Sequence, residues 1–404
     1  MNRILITKYG NGILSALYTG NRMEEALVEN PENPSIIENI YVGKISCIRP
    51  NINAAFVNIG TGADAYLSLE NNPPIIFVKK VGKKDVSPED EILVQVAKEA
   101  QKGKTETLTT LLTFKGKTVF LIWGKEGLSV CSKIPSDQKA RLSDLVRPHL
   151  PSGFGVMVRT NAMYADDGEI LSELGELKEN AEKSLSAWKH STAFTCVRKS
   201  GPEYIAYLRN TYRSRFDEVL TDQEDIYQAL LQKKQEEQDM ADIPVRLYTD
   251  TRPNLCALYN VKNQVQRALG ERVWMKSGAY LVIQPTEALT VIDVNSGKRI
   301  SGKDKQKAIF EINLEAAREC ARQMRLRNLS GIILIDFIDM VDSSQEESLV
   351  EEMRRECAKD PVRVTVLGLT KLHLCEITRK KVMRPLAEQV KGIRFEEEEK
   401  HKNS

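Results

Sequence analysis

Two short stretches, ALTVIDVNSGK (288–298) and SGIILIDFIDM (330–340), constrain this chain more than anything else in it. Each is an apolar β-type run that ends abruptly in an aspartate, Asp293 or Asp336. Between them small or apolar residues at 309, 312, 316, 317, 320, 321 and 324 follow one helical face. Asp304 stands where an N-cap is expected, and RLRN suits a last turn. The block therefore reads strand–helix–strand. Such a crossover nearly always sets its two strands parallel in one sheet, with a right-handed connection. As neighbours, the strands would carry both aspartates near their C-terminal ends, the edge where open α/β sheets bind ligands.

Two carboxylates placed so can share a divalent cation; without one they repel, and one pKa rises. Oxygen donors with no nearby His or Cys favour Mg²⁺ or Mn²⁺ over Zn²⁺. Residues i and i+2 share a strand face, so Asn295 can hydrogen-bond a ligand beside Asp293. A lone strand-end aspartate is more often a turn former or helix cap; pairing across a crossover sets these two apart. Asp339 and Asp342, in the loop-like stretch that follows, read as solvated turn residues.

The 404 residues are enough for several cores, and 41% hydrophobic with 28% charged content fits an ordinary globular protein. A net charge of +2 means that any basic footprint is local. Seven scattered cysteines without a CxxC pair, and no signal peptide, predict reduced thiols and a cytoplasmic protein. No apolar run is long enough to serve as a membrane segment.

Residues 1–34 read as short strands around the turn signals YGNG and YTGN. From Asn39 short β runs with Pro and Gly punctuation predict a small barrel, followed by a basic loop KKVGKK (79–84). Region 117–204 opens with strands and turns helical. Residues 205–270 read as mainly helical, 271–390 alternates strand and helix, and RFEEEEKHKNS has no apolar pattern.

EALTVIDVNSGK, INLEAARECARQMRLRNLSGIILIDFIDM and VLGLTKLHLCEITRKK, with NIYVGKI, AAFVNIG and VRT in the same order, resemble the catalytic core of the ribonuclease E/G family. The shorter, G-type members are the more similar. The resemblance implies a multidomain α/β architecture. An RNase H-like subdomain (1–34 with 205–270) is interrupted by an S1 domain, an OB-fold barrel, at 35–116 and a 5′-sensor region at 117–204. A DNase I-like catalytic subdomain (271–390) and a disordered tail (391–404) follow.

It further implies an endoribonuclease of RNA processing and decay, ribosomal and messenger RNA included. Such an enzyme cuts single-stranded RNA with Mg²⁺ (Mn²⁺ as an alternative) on Asp293 and Asp336, supported by Asn295, and leaves 5′-phosphate and 3′-hydroxyl ends. Phe56, Tyr66 and Lys104 match RNA-binding positions of the barrel. Arg363 matches a residue near the scissile phosphate, and Arg159 and Thr160 match a 5′-monophosphate pocket. Arg379, Lys380 and Lys381 read as a basic helix start touching backbone phosphates. The family's CPxCxG element has no counterpart in VMRPLAEQVKGIRFEEEEKHKNS. No zinc is therefore expected, and a homo-oligomer would need another surface. Gln284 stands where an acid is common. Two rival readings are a non-catalytic, ribosome-associated RNA-binding protein and a Mg²⁺-dependent phosphoesterase acting on DNA.

Overall fold

The computed structural model describes residues 1–32, 34–70, 74–83, 85–100, 105–188, 191–211, 215–236, 240, 242–250, 252–297 and 305–395. The chain is a mixed α/β protein of two compact units. One comprises Met1–Asn33, Ser214–Tyr227 and Pro244–Ser404, and the other Pro34–Arg213 and Gln228–Ile243.

In the first unit, hairpin strands Asn2–Tyr9, Gly12–Thr19 and Arg22–Glu29 are antiparallel. Strand Glu218–Thr221 pairs parallel with Asn2–Tyr9, and Val245–Leu247 pairs parallel with Glu218–Thr221. These two strands lie in the region read as mainly helical. Four and three residues are too few to show a period of two. Gly10 has φ +61°, and a Cβ there would meet the Arg394 carbonyl at 2.3 Å. That close approach reflects a packed C-terminal segment. Arg394 accepts from the Asn11 N–H at 3.0 Å, and Phe395 meets Tyr9 edge-on at 5.0 Å. The reading of everything from 391 as a disordered tail therefore does not hold for 391–395, because Ile393 and Phe395 pack on the hairpin core. Residues 396–404 lie outside the described residues.

The same unit holds a six-stranded sheet. Its order is Arg272–Trp274, Tyr280–Pro285, Leu289–Asn295, Gly331–Asp336, Leu374–Arg379, Val364–Leu369. Only Leu289–Asn295 and Gly331–Asp336 run parallel, joined through the helix Lys305–Leu326 as the crossover pattern predicts. That helix and Ser343–Ala358 cover one face of the sheet. Ala316, Ala317, Cys320, Ala321 and Met324 pack there against Ile292, Val294, Ile333 and Ile335. Each large aliphatic side chain buried so contributes about 1.5–3 kcal/mol. Among the described residues, no helix of this core lies on the opposite face.

In the second unit, strands Ile40–Arg49, Ala54–Asn58, Ala65–Ser68, Thr107–Thr109 and Glu91–Lys98 close into a five-stranded barrel, the last pairing back on the first. The next strand, Thr113–Lys115, already belongs to a four-stranded sheet with Val119–Trp123, Phe154–Val158 and Gly127–Val130. Cys196–Arg198 pairs back onto Ile40–Arg49.

The basic loop beside the barrel is anchored by Asp90. This fully buried carboxylate pairs with Lys80 at 2.7 Å and accepts from the N–H groups of Val81, Gly82 and Ser87. Burial alone would raise its pKa; Lys80 and the three backbone donors outweigh it and hold the carboxyl at about 2. A folded pKa below the unfolded one gives stability that is present above the unfolded value and lost as pH falls through the folded one. Asp90→Asn should therefore cost about 2 kcal/mol in urea unfolding at pH 7. The gap should close between pH ~4 and ~2; a gap persisting at pH 2 would mean that the charge is not what Asp90 contributes.

Candidate active site

Asp293 and Asp336 sit opposite each other in the register of the parallel pair. Adjacent strands are about 4.8 Å apart, so the two carboxylates rise side by side. Ile292, Val294, Ile335 and Phe337 point into the core, which turns both aspartates to the open face, where both are exposed. The Asn295 amide donates to Asp293 Oδ2 at 2.6 Å and orients that carboxylate. Asn313, fully buried on the crossover helix, fixes the chain just beyond Asp336. Its amide donates to the Ile338 carbonyl at 2.8 Å and accepts from the Ile338 N–H at 3.1 Å.

Desolvation, with the charges of Asp293 and Asp339, raises the Asp336 pKa. Asp339 lies exposed in the irregular segment after the strand, as its reading as a solvated loop residue expects. Asp342 caps the helix Ser343–Ala358, accepting from the Ser344 N–H at 2.9 Å. Among the described residues, no three His, Cys, Asp or Glu gather as metal ligands. The donor set is two carboxylates and an amide. It suits Mg²⁺, which keeps several waters and binds through one or two carboxylates plus substrate phosphate. The excess negative charge is what such a cation would neutralise.

The remaining candidates divide. Phe56 and Tyr66 are a cross-strand pair on the outer face of the barrel, half-buried, their rings edge-on at 6.1 Å. Lys104 lies outside the described residues. Arg159 is oriented by backbone carbonyls, donating to Gly116 at 2.7 Å and Lys117 at 3.2 Å, while its other arm reaches Asn210 Oδ1 at 2.9 Å. Its guanidinium also stacks over Phe120 at 4.5 Å. The Thr160 hydroxyl contacts Cys131 Sγ at 3.4 Å. A cavity of about 260 Å³ next in the chain is lined by Lys117, Asn161, Tyr164, Asp166, Glu169 and Asp242. Three carboxylates against one lysine suit a phosphate poorly.

Arg363 is exposed but is not brought to the aspartates. It precedes the strand whose first residue, Val364, pairs with Arg379, itself opposite Gly331. Five residues of strand, roughly 17 Å, separate that end from Asp336.

The basic EITRKK stretch also differs from expectation. Arg379 ends a strand rather than starting a helix and is only 4% exposed. It pairs with Asp360 at 2.8 Å and donates to Asn328 Oδ1 at 2.6 Å. Cys375 is buried, its thiol pushed up to about 12 by desolvation. The pattern in the sequence left one part of the open face unread. Arg272, Trp274 and Tyr280 share it with the aspartates; alternation around Val273, which packs on the core, was the available signal. No described helix is long and apolar enough to cross a membrane.

Residues 113–382 match the Ribonuclease E/G family. Ribonuclease G of Escherichia coli (strain K12) is 31% identical over 379 residues, covering 91% of this chain and 77% of that protein. Ribonuclease G of Haemophilus influenzae is 30% identical, covering 92% and 78%. Ribonuclease E of Synechocystis sp. is 30% identical, covering 91% and 55%.

Arg379→Gln should cost about 3 kcal/mol or more by removing the buried guanidinium that pairs with Asp360. It should leave the salt dependence of RNA affinity unchanged. A slope shallower by about 0.7 would instead make Arg379 a phosphate contact.

Proposed function

The chain belongs to the ribonuclease E/G family and is an endoribonuclease of RNA processing, and from that premise we propose that it hydrolyses single-stranded RNA with one Mg²⁺, or Mn²⁺, held by Asp293 and Asp336. The observation that carries this reading is the register of the two aspartates on one open face. When bound, such a cation supplies Lewis-acid neutralisation of charge gathering on the phosphoryl oxygens and makes water a stronger nucleophile at neutral pH. Asn295, bonded to one oxygen of Asp293, holds that carboxylate in one orientation. Asn313 does the corresponding work for Asp336 through the Ile338 backbone. Water adds to phosphorus, the bond to the 3′ oxygen breaks, and that oxygen leaves as a hydroxyl. The products carry 5′-phosphate and 3′-hydroxyl ends.

The closed barrel serves as an S1-type grip, with Phe56 and Tyr66 offering π faces to bases and Lys104 a charge to the backbone. The first and last sheets correspond to the RNase H-like and DNase I-like subdomains. Arg159, pre-oriented by carbonyls, and Thr160 take a 5′-monophosphate, a guanidinium fork and a hydroxyl suiting that dianion. Arg363, distant from the aspartates, contacts RNA backbone away from the cut.

One oligonucleotide tests the whole reading: A/U-rich single-stranded RNA, with 5′-phosphate or 5′-hydroxyl, with and without Mg²⁺. Cleavage should need Mg²⁺ and be stimulated by the 5′-phosphate; binding without cleavage would favour a scaffold, and cleavage of the DNA analogue alone a DNA enzyme. Asp293→Asn or Asp336→Asn should lower cleavage by at least ~10³-fold while leaving RNA affinity nearly intact, and full activity in either variant removes the metal assignment. Arg159→Ala should narrow the ratio of 5′-phosphate to 5′-hydroxyl cleavage rates toward one. An unchanged ratio rules out its sensing role.

A further inference from the structure

The edge strand of the six-stranded sheet carries an outward-facing aromatic and cationic cluster. Trp274 is 63% exposed, in a protein whose large hydrophobic side chains mostly pack inside. Its ring lies 4.9 Å from that of Tyr280, tilted by 51°. The Arg272 guanidinium lies 4.6 Å from the Tyr280 ring and 5.9 Å from that of Trp274. Val273 and Leu281, the residues between, go to the core, so the cluster faces outward.

The register ties this cluster to the aspartates. Trp274 is opposite Tyr280, and Tyr280 opposite Asn295. In the next row Arg272 is opposite Val282, Val282 opposite Asp293, and Asp293 opposite Asp336. Trp274 and Arg272 thus stand two strand spacings, roughly 10 Å, from the strand of Asp293, on the same open face. That is the reach of a base roughly one or two nucleotides from a phosphate bound at the pair.

We propose that Trp274 and Tyr280, with Arg272 behind them, form a stacking platform for a base of the RNA strand adjacent to the scissile phosphate. The proposal rests on the nuclease reading of Asp293 and Asp336. Every base has a π face, so the platform positions the strand without dictating sequence, and Arg272 adds charge for the neighbouring phosphate. A second protein copy could also cover an exposed Trp. The shared rows with Asn295 and Asp293 favour RNA.

The test reads binding with divalent cations chelated, so it does not depend on the metal assignment. A/U-rich single-stranded RNAs carry 2-aminopurine at successive positions along their length. One or two positions should be quenched by the full-length protein, and they should fall beside the cut mapped separately with Mg²⁺. Trp274→Ala should lose that quenching and bind roughly tenfold more weakly, while Trp274→Phe should keep most of both. An abasic residue at the quenched position should weaken the unsubstituted protein about as much and Trp274→Ala no further. Unchanged affinity and quenching in Trp274→Ala, or additive losses, would overturn the platform. So would a change of solution mass in Trp274→Ala with RNA affinity intact, which would make the patch a contact between copies. Mg²⁺-dependent cleavage of the same RNA is read separately, so loss of the platform and loss of the nuclease reading are distinct results.

Discussion

The catalytic unit depends on one constraint: strands Leu289–Asn295 and Gly331–Asp336 must pair parallel and in a single register. The crossover helix Lys305–Leu326 enforces the first condition, because its apolar face can be buried only by returning across the sheet. Alternation enforces the second. A slip of one residue in either strand would drive its aspartate into the core and bring its own apolar pair, Ile292 and Val294 or Ile333 and Ile335, to water. Two like charges are thus held side by side by the burial of hydrophobic neighbours, and desolvation, with the neighbouring charge of Asp293, raises the Asp336 pKa.

The same burial explains why this part of the fold was legible in the sequence. A helix of 22 residues shows its apolar face over many turns, and strands ending in aspartate mark their own edge. The barrel was legible through its punctuation. Strands Glu218–Thr221 and Val245–Leu247 were not: both are too short to show their period, and the first finds its parallel partner, Asn2–Tyr9, more than two hundred positions away before the second can add to it. Nor was the role of Arg379. Within EITRKK it looks like one of three surface cations, but Asp360 and Asn328 reach it only once the sheet has formed. Lys104 and the proposed cap Asp304 lie outside the described residues, so the structure says nothing of either.

Arg379 exemplifies a wider pattern in how this chain uses positive charge. It has 58 Lys and Arg against 56 Asp and Glu, and several cations are committed internally. Glu319, on the crossover helix, gathers Arg22 and Arg322, and Arg322 also donates to the Met23 carbonyl at 2.6 Å. Burial would push the Glu319 carboxyl up, but the two arginines hold it low. Arg325, in the last turn of the crossover helix as RLRN predicts, is buried beside Glu24 and Glu25. These groups fasten the crossover helix to the hairpin strand Arg22–Glu29 and are not available to a phosphate backbone.

Counterion release scales with the phosphates that cations contact, and the arginines paired with Glu319, Asp360 and Glu24 add little to it. Contacts that do not need charge add to such a grip, and stacking on aromatic faces is the chief such contact for single strands. Two pairs of exposed or half-buried aromatics suit such contacts: Phe56 with Tyr66 on the barrel, and Trp274 with Tyr280 on the open face of the six-stranded sheet. Stacking also favours unpaired bases, because a base held in a duplex has its faces occupied. The proposed stacking would by itself favour single strands and read no particular base, because it uses a face that every base has.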